Sequence, residues 1–136
     1  LEALAVKLGI EEDVAFVGYQ QNPYKFMAGA DLFVLSSFYE GLPNVLIEAL
    51  GVGTPAIATD CPSGPREILL DGDGGELVPV GDVEAMVSAI ERYLDDPSYA
   101  SERLDVARSE LDRFTPERAA REYIRLANRG SPSKSG

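Results

Sequence analysis

The chain has 136 residues, a net charge of -11, 45% hydrophobic residues, one cysteine and no histidine. That length suits one compact domain or part of a two-domain enzyme, and so acidic a surface repels nucleic-acid backbones and anionic headgroups over about a Debye length, ~8–10 Å. A general nucleic-acid binder is therefore not expected, no stretch reaches the roughly 20 apolar residues of a membrane helix, and Cys61 lacks both a disulfide partner and a histidine with which to build a zinc site.

A single cysteine fits a reducing cytoplasm. The chain opens on Leu1 without a charged-then-apolar leader, and we read it as a piece of a longer one.

In chain order, Leu1, Leu4, Ala5 and Leu8 have helical spacing, and Gly9 is a C-terminal stop. The apolar run Val14 to Val17, closed by Gly18, predicts a strand. Asn22-Pro23 predicts a turn and Tyr24 to Ala30 a short helix. Leu32 to Leu35 is a nearly continuous apolar run of strand length. A loop from Ser36 to Pro43 leads into a helix over about 44–52, ended by Gly53 and Pro55. Ala56 to Thr59 is the next strand, and Ser63-Gly64-Pro65 opens a helix through Leu70, with Pro65 tolerated in its first turn.

Asp71-Gly72-Asp73-Gly74-Gly75 predicts a tight turn, and Leu77 to Val80 a fourth strand. Helices are expected over 83–95, 98–113 and 116–128, with Tyr93, Tyr99, Phe114 and Tyr123 as packing positions. Residues 129–136 carry no apolar content and predict a disordered tail beyond a domain of residues 1–128. Strands apolar on both faces, alternating with helices, imply α/β architecture: a doubly wound, Rossmann-like parallel sheet of about four strands with a C-terminal helical extension.

The informative segment is Ser36 to Leu50. A buried strand runs into a loop holding Glu40, Gly41 and Pro43, then into a helix carrying Glu48. Ligands of open α/β sheets sit beyond the carboxyl ends of the strands, and a helix start offers unpaired N–H groups and a positive dipole end to an anion. Gly41 permits close backbone approach. Glu48, on an otherwise apolar helix, is costly to bury without a partner. Ribose hydroxyls would satisfy it; the plain alternative is a carboxylate that caps an amide or faces water.

Three further features have two readings each. Gly51-Val52-Gly53-Thr54-Pro55-Ala56 fits G-x-G-x-x-A, but it ends a helix and precedes a strand, the reverse of a dinucleotide fingerprint. Asp71-Gly72-Asp73 looks like a metal motif, yet the twelfth position of a calcium loop is Asp82 rather than glutamate; no metal is expected. Arg66 either helps neutralise a bound phosphate or is a solvated helix residue.

Glu40-x7-Glu48, preceded by Ala30-Asp31-Leu32-Phe33-Val34-Leu35-Ser36 and followed by Gly53-Thr54-Pro55-Ala56-Ile57-Ala58-Thr59, resembles the signature of retaining glycosyltransferase family 4. Val14-Ala15-Phe16-Val17-Gly18-Tyr19, Gly64-Pro65-Arg66-Glu67-Ile68-Leu69 and Gly75-Glu76-Leu77-Val78-Pro79-Val80-Gly81-Asp82 extend the likeness over roughly residues 1–95. The resemblance implies the C-terminal nucleotide-sugar-binding domain of a GT-B fold, truncated at its start. The implied activity is transfer of a sugar, with retention, from a nucleotide-diphosphate sugar to a hydroxyl in polysaccharide, glycolipid or glycan synthesis.

It further implies that Glu40 meets the sugar beside the breaking bond and that Glu48 binds the ribose. The amides of Gly41, Leu42, Asn44 and Val45 would face the diphosphate, and Gly18 and Tyr19 would border the base. Pro43 stands where many members carry glycine and removes one N–H. The nucleotide sugar is substrate, with no cofactor and no metal. The acceptor, a saccharide or lipid-linked saccharide, would be bound by a domain outside this chain, with room for peripheral membrane association of the full-length enzyme.

By the same resemblance, two strands that normally lie between Val14–Val17 and Leu32–Leu35 are absent. The piece alone should therefore be a poor catalyst, and Val14–Val17 should either pair directly with Leu32–Leu35 or leave an open edge. The alternatives are a sugar-nucleotide epimerase of the same fold, which normally uses histidines, a receiver-like signalling module, and a module that binds nucleotide without transfer.

Overall fold

A computed structural model describes residues 1–129. Strands β1 (Phe33–Leu35), β2 (Ala56–Thr59) and β3 (Glu76–Val78) form one parallel sheet in the order β1-β2-β3. The centre is β2: Ile57 lies opposite Val34 on one side and Glu76 on the other, and Ala58 lies between Leu35 and Leu77. All four β2 residues are buried, so its side chains must suit two apolar layers at once.

They do so by alternation. Ala56 and Ala58 belong to a layer with Leu46 and Leu50 of α3 (Asn44–Gly51), Ile68 of α4 (Pro65–Ile68), Leu69, and Ala107 of α6 (Pro97–Ser109). Ile57 belongs to the other, with Val78, Ala89 and Tyr93 of α5 (Val83–Asp95), and Ala100 of α6. The crossover helices α3 and α4 thus cover one face and α5 the opposite one. Leu46 and Leu50 are fully buried; truncating either to alanine would cost roughly 2–5 kcal/mol.

Most of the expected elements are present. Helix α1 (Glu2–Leu8) stops at Gly9, and α5 spans its expected residues, with the Asp82 carboxylate accepting the Ala85 amide at 2.9 Å. Tyr93 and Tyr99 pack edge to face with centroids 5.3 Å apart, and Phe114 rests on the core layer of α3. Helix α7 (Pro116–Arg129) follows. Arg129, expected to open the tail of residues 129–136, is instead the last residue of α7; the Tyr123 side chain and residues 130–136 lie outside the described residues.

The strand expected at Val14–Val17 is not formed. Residues 14–20 run without regular structure, and Val14, Phe16 and Val17 remain substantially exposed. A strand exists only through a ladder partner, and β1 pairs with β2 alone. The sheet therefore has three described strands rather than four. The helix expected over Tyr24–Ala30 is a single turn, α2 (Tyr24–Met27), tied to the core by the buried Thr54 hydroxyl, which donates to the Met27 carbonyl at 2.6 Å. The helix expected to reach Leu70 ends at Ile68, because Leu70 (φ 55°), Asp71 (φ 56°) and Gly72 (φ 106°) take left-handed backbone in a tight turn.

Candidate functional site

Strand β1 ends at Leu35, and the chain leaves the sheet through Ser36 to Pro43 before entering α3. Phe38 and Tyr39 are 73% and 80% exposed, so burial does not anchor this loop through them. Polar contacts do. The Thr59 hydroxyl, 5% exposed at the end of β2, donates to the Ser37 carbonyl and lies 3.3 Å from that of Leu35. The Ser37 hydroxyl in turn donates to the Glu40 carboxylate at 2.6 Å. Glu40 is thereby half-buried and held, rather than a free loop acid.

Next to it, α3 begins without a side-chain cap. The Leu46 amide closes onto the Pro43 carbonyl at 2.9 Å. The amides of Asn44 and Val45, ahead of it, have no acceptor within the helix. Gly41, Leu42 and Asn44 are exposed and Val45 is half-buried, so the junction is open to solvent; Pro43 alone is buried. A helix dipole end with unpaired amides and an exposed approach has the chemistry to receive an anion.

Glu48 lies one turn along α3, half-buried, and accepts a hydrogen bond from the Tyr24 hydroxyl at 3.3 Å. That contact joins α2 to the junction. Gly18 (φ 58°) lines an apolar hollow of about 350 Å³ with Val17, Pro23, Phe26, Met27 and Phe33, whereas Tyr19 projects outward, 91% exposed.

Arg66 is committed elsewhere. Its guanidinium grips Asp60 with two nitrogens, Nε at 3.1 Å, and reaches Asp71 at 3.3 Å. Its pKa is raised, first through the hydrogen bond to Asp60 and then through that to Asp71. This trio borders a hollow of about 690 Å³, together with Cys61, Ser63, Gly64 and Glu67. That hollow includes neither Glu40 nor Glu48; the site with chemistry on it is the open junction next door, which Gly64 touches.

The structure therefore gathers Glu40, Gly41, Leu42, Asn44, Val45 and Glu48 around one strand–loop–helix junction, with Gly18 and Tyr19 on the segment before α2 and Arg66 beside the adjoining hollow. Gly51 to Ala56 ends α3 and leads into β2, an order that rules out a dinucleotide fingerprint. Asp71 spends its carboxylate on Arg66. The sequence reading missed Ser37, Thr59, Tyr24 and Gly64. Thr59 carried a usable signal, a lone hydroxyl in a strand otherwise apolar; Tyr24, 24 positions from Glu48, carried none.

Comparison with known proteins shows the family. The family described as "Glycosyl transferases group 1" matches residues 1–109. The N-acetylgalactosamine-N,N'-diacetylbacillosaminyl-diphospho-undecaprenol 4-alpha-N-acetylgalactosaminyltransferase of Campylobacter jejuni is 34% identical over 92% of this chain and 34% of its own length. The structure of sucrose-phosphate synthase from Thermosynechococcus elongatus superposes with a TM-score of 0.82 at 30% identity, over 94% of this chain and 33% of that one. TarM of S. aureus, solved in complex with fondaparinux, alpha-GlcNAc-glycerol and UDP, gives 0.82 at 25% identity, over 91% of this chain and 25% of its own. This chain spans about a third of the length of the curated relatives that it matches along most of its own. A GT-B neighbourhood of this breadth, over a junction built in this way, identifies the chain as a member of the glycosyl transferases group 1 family.

Proposed function

We propose that this chain is the C-terminal, nucleotide-sugar-binding part of a retaining glycosyltransferase of family 4. The observation that carries the reading is the open β1–α3 junction, where Glu40, its carboxylate held by Ser37, lies on the loop that leads to the uncapped start of α3, and Glu48 follows one turn into that helix. In the reaction the acceptor hydroxyl gains the anomeric carbon and loses its proton, while the bond from that carbon to the diphosphate oxygen breaks. Negative charge grows on the leaving diphosphate. The amides of Gly41, Leu42, Asn44 and Val45 meet it, so oriented dipoles rather than a metal do the stabilising.

Glu40 orients the sugar hydroxyls beside the breaking bond, Glu48 accepts from the ribose, and Gly18 and Tyr19 border the base. Arg66 offsets phosphate charge by leaving Asp71, the more exposed of its two partners, while keeping Asp60. The acceptor is a saccharide or lipid-linked saccharide held by another part of the protein, at the cytoplasmic side of cell-surface glycan synthesis. The Campylobacter relative, whose name specifies a diphospho-undecaprenol-linked acceptor, supports that class.

Calorimetric titration with UDP, GDP and ADP, with and without EDTA, tests this. One diphosphate should bind independently of chelator. Glu48→Gln should weaken it roughly tenfold, the loss of one charge-assisted hydrogen bond, while Glu40→Gln leaves it unchanged and lowers turnover in the full-length protein. A chain that binds none of the three overturns the reading.

A further inference from the structure

Glu40 poses a positional problem. It sits between exposed residues (Phe38, Tyr39, Gly41 and Leu42), and a glutamate side chain free to rotate there would lose that freedom each time a sugar arrived. Yet its carboxylate is fixed. We propose that Ser37 and Thr59 are positioning residues that preset the Glu40 carboxylate from the interior of the sheet, a role that rests on the sugar-binding reading of Glu40 above.

The chain of contacts has a definite direction. The β1–β2 ladder ends with Leu35 opposite Ala58. Thr59, one residue further along β2, is buried, and its single hydroxyl proton goes to the Ser37 carbonyl, with the Leu35 carbonyl the longer contact at 3.3 Å. The side chain thus continues the sheet's hydrogen bonding two residues past the last backbone pair. Ser37, pinned by its own carbonyl, has a hydroxyl proton to give, and an ionised carboxylate only accepts. The bond of 2.6 Å to Glu40 Oε1 therefore runs from serine to glutamate. The other carboxylate oxygen, Oε2, is left to meet a sugar hydroxyl. The buried core of β2 in this way dictates the orientation of an acid on a solvent-facing loop.

Preset geometry affects the reacting complex more than nucleotide binding, and misplacement of a positioning group by about 1 Å can lower turnover by roughly 100-fold. Of UDP-glucose, UDP-N-acetylglucosamine, GDP-mannose and ADP-glucose, the one that the full-length wild type turns over is used to measure kcat, KM and the affinity of its nucleoside diphosphate in Ser37→Ala, Ser37→Thr, Thr59→Val and Thr59→Ser. Ser37→Ala should lower kcat roughly 10- to 100-fold with the diphosphate affinity and melting temperature unchanged, and Ser37→Thr should restore most of it. Thr59→Val should share the kcat loss and Thr59→Ser recover it.

Ser37 lies in a loop, so its variants decide the matter even if Thr59→Val fails to fold. An unchanged kcat in Ser37→Ala, or equal losses of kcat and diphosphate affinity, overturns the positioning role and leaves the sugar-binding reading standing. A wild type inert toward all four nucleotide sugars and their diphosphates overturns that reading and the positioning role with it.

Discussion

Gly64 lies directly against the carbonyl oxygen of Gly41: a Cβ built on Gly64 would stand 2.1 Å from that oxygen and 2.4 Å from Cδ of Pro43. The loop after β2 and the loop after β1 therefore share one surface, and the backbone that presents the α3 amides is seated on Gly64. Its φ of +49° adds a second reason for glycine. Gly64→Ala should destabilise the fold by about 2 kcal/mol or more, because the obstruction is backbone and cannot swing aside. As Gly41 to Pro43 shift, affinity for the nucleoside diphosphate that the wild type binds should fall as well. Urea midpoints and a titration with that diphosphate check both; wild-type values in each would mean that the two loops are not in tight contact.

The Arg66 trio makes a prediction of opposite sign. Asp60 and Asp71 together carry more negative charge than one guanidinium can offset, and Asp71 is 80% exposed at 3.3 Å. Removing that competitor should free Arg66 toward an incoming diphosphate. Asp71→Asn should raise affinity for the diphosphate that the wild type binds by up to about fivefold, the scale of one exposed ion pair, and the gain should shrink in high salt. Arg66→Gln should lower it. Weaker binding in Asp71→Asn would show that Arg66 serves the loop and not the anion.

These contacts mark where sequence reading succeeds and where it stops. Strand β2 was legible because Ala56-Ile57-Ala58 is apolar on both faces and glycine and proline bound the preceding helix. Helix α5 was legible to the residue because Asp82 caps it and its apolar positions keep helical spacing. The same local logic misplaced Val14 to Val17, whose apolar run is right for a strand but which pairs with none of the three described strands. The eight-residue spacing of Glu40 and Glu48 was visible in the sequence, and the roles attached to it came from family resemblance. What holds each acid was not: the chain Thr59–Ser37–Glu40 joins the end of β2 to the loop after β1, and Tyr24 meets Glu48 across 24 positions. Pairings that depend on the fold leave no periodicity to read.

Acid stability should carry the signature of one helix cap. Asp96 precedes Pro97 at the start of α6, and its carboxylate accepts from the Ser98 hydroxyl and from the amides of Ser98 and Tyr99, each at 3.1 Å. These bonds, the Ser98 hydroxyl first among them and the Tyr99 amide next, hold the Asp96 pKa below the usual aspartate value. A depressed folded-state pKa means that the unfolded chain takes up the proton first. The cap's contribution is therefore full above the ordinary aspartate pKa of about 3.9, and it drains away as pH falls from there through the lower folded value. Asparagine keeps the accepting oxygen and removes the titration. Asp96→Asn should melt below wild type at neutral pH, where the charged cap is the stronger acceptor, and the difference should close as pH drops below 4. Because α6 contributes Ala100 to one core layer and Ala107 to the other, fraying at its start should appear as global unfolding rather than a local transition. Melting curves of both proteins across pH 2–7 test this, and a gap that stays constant with pH would show that the Asp96 charge contributes nothing to the cap.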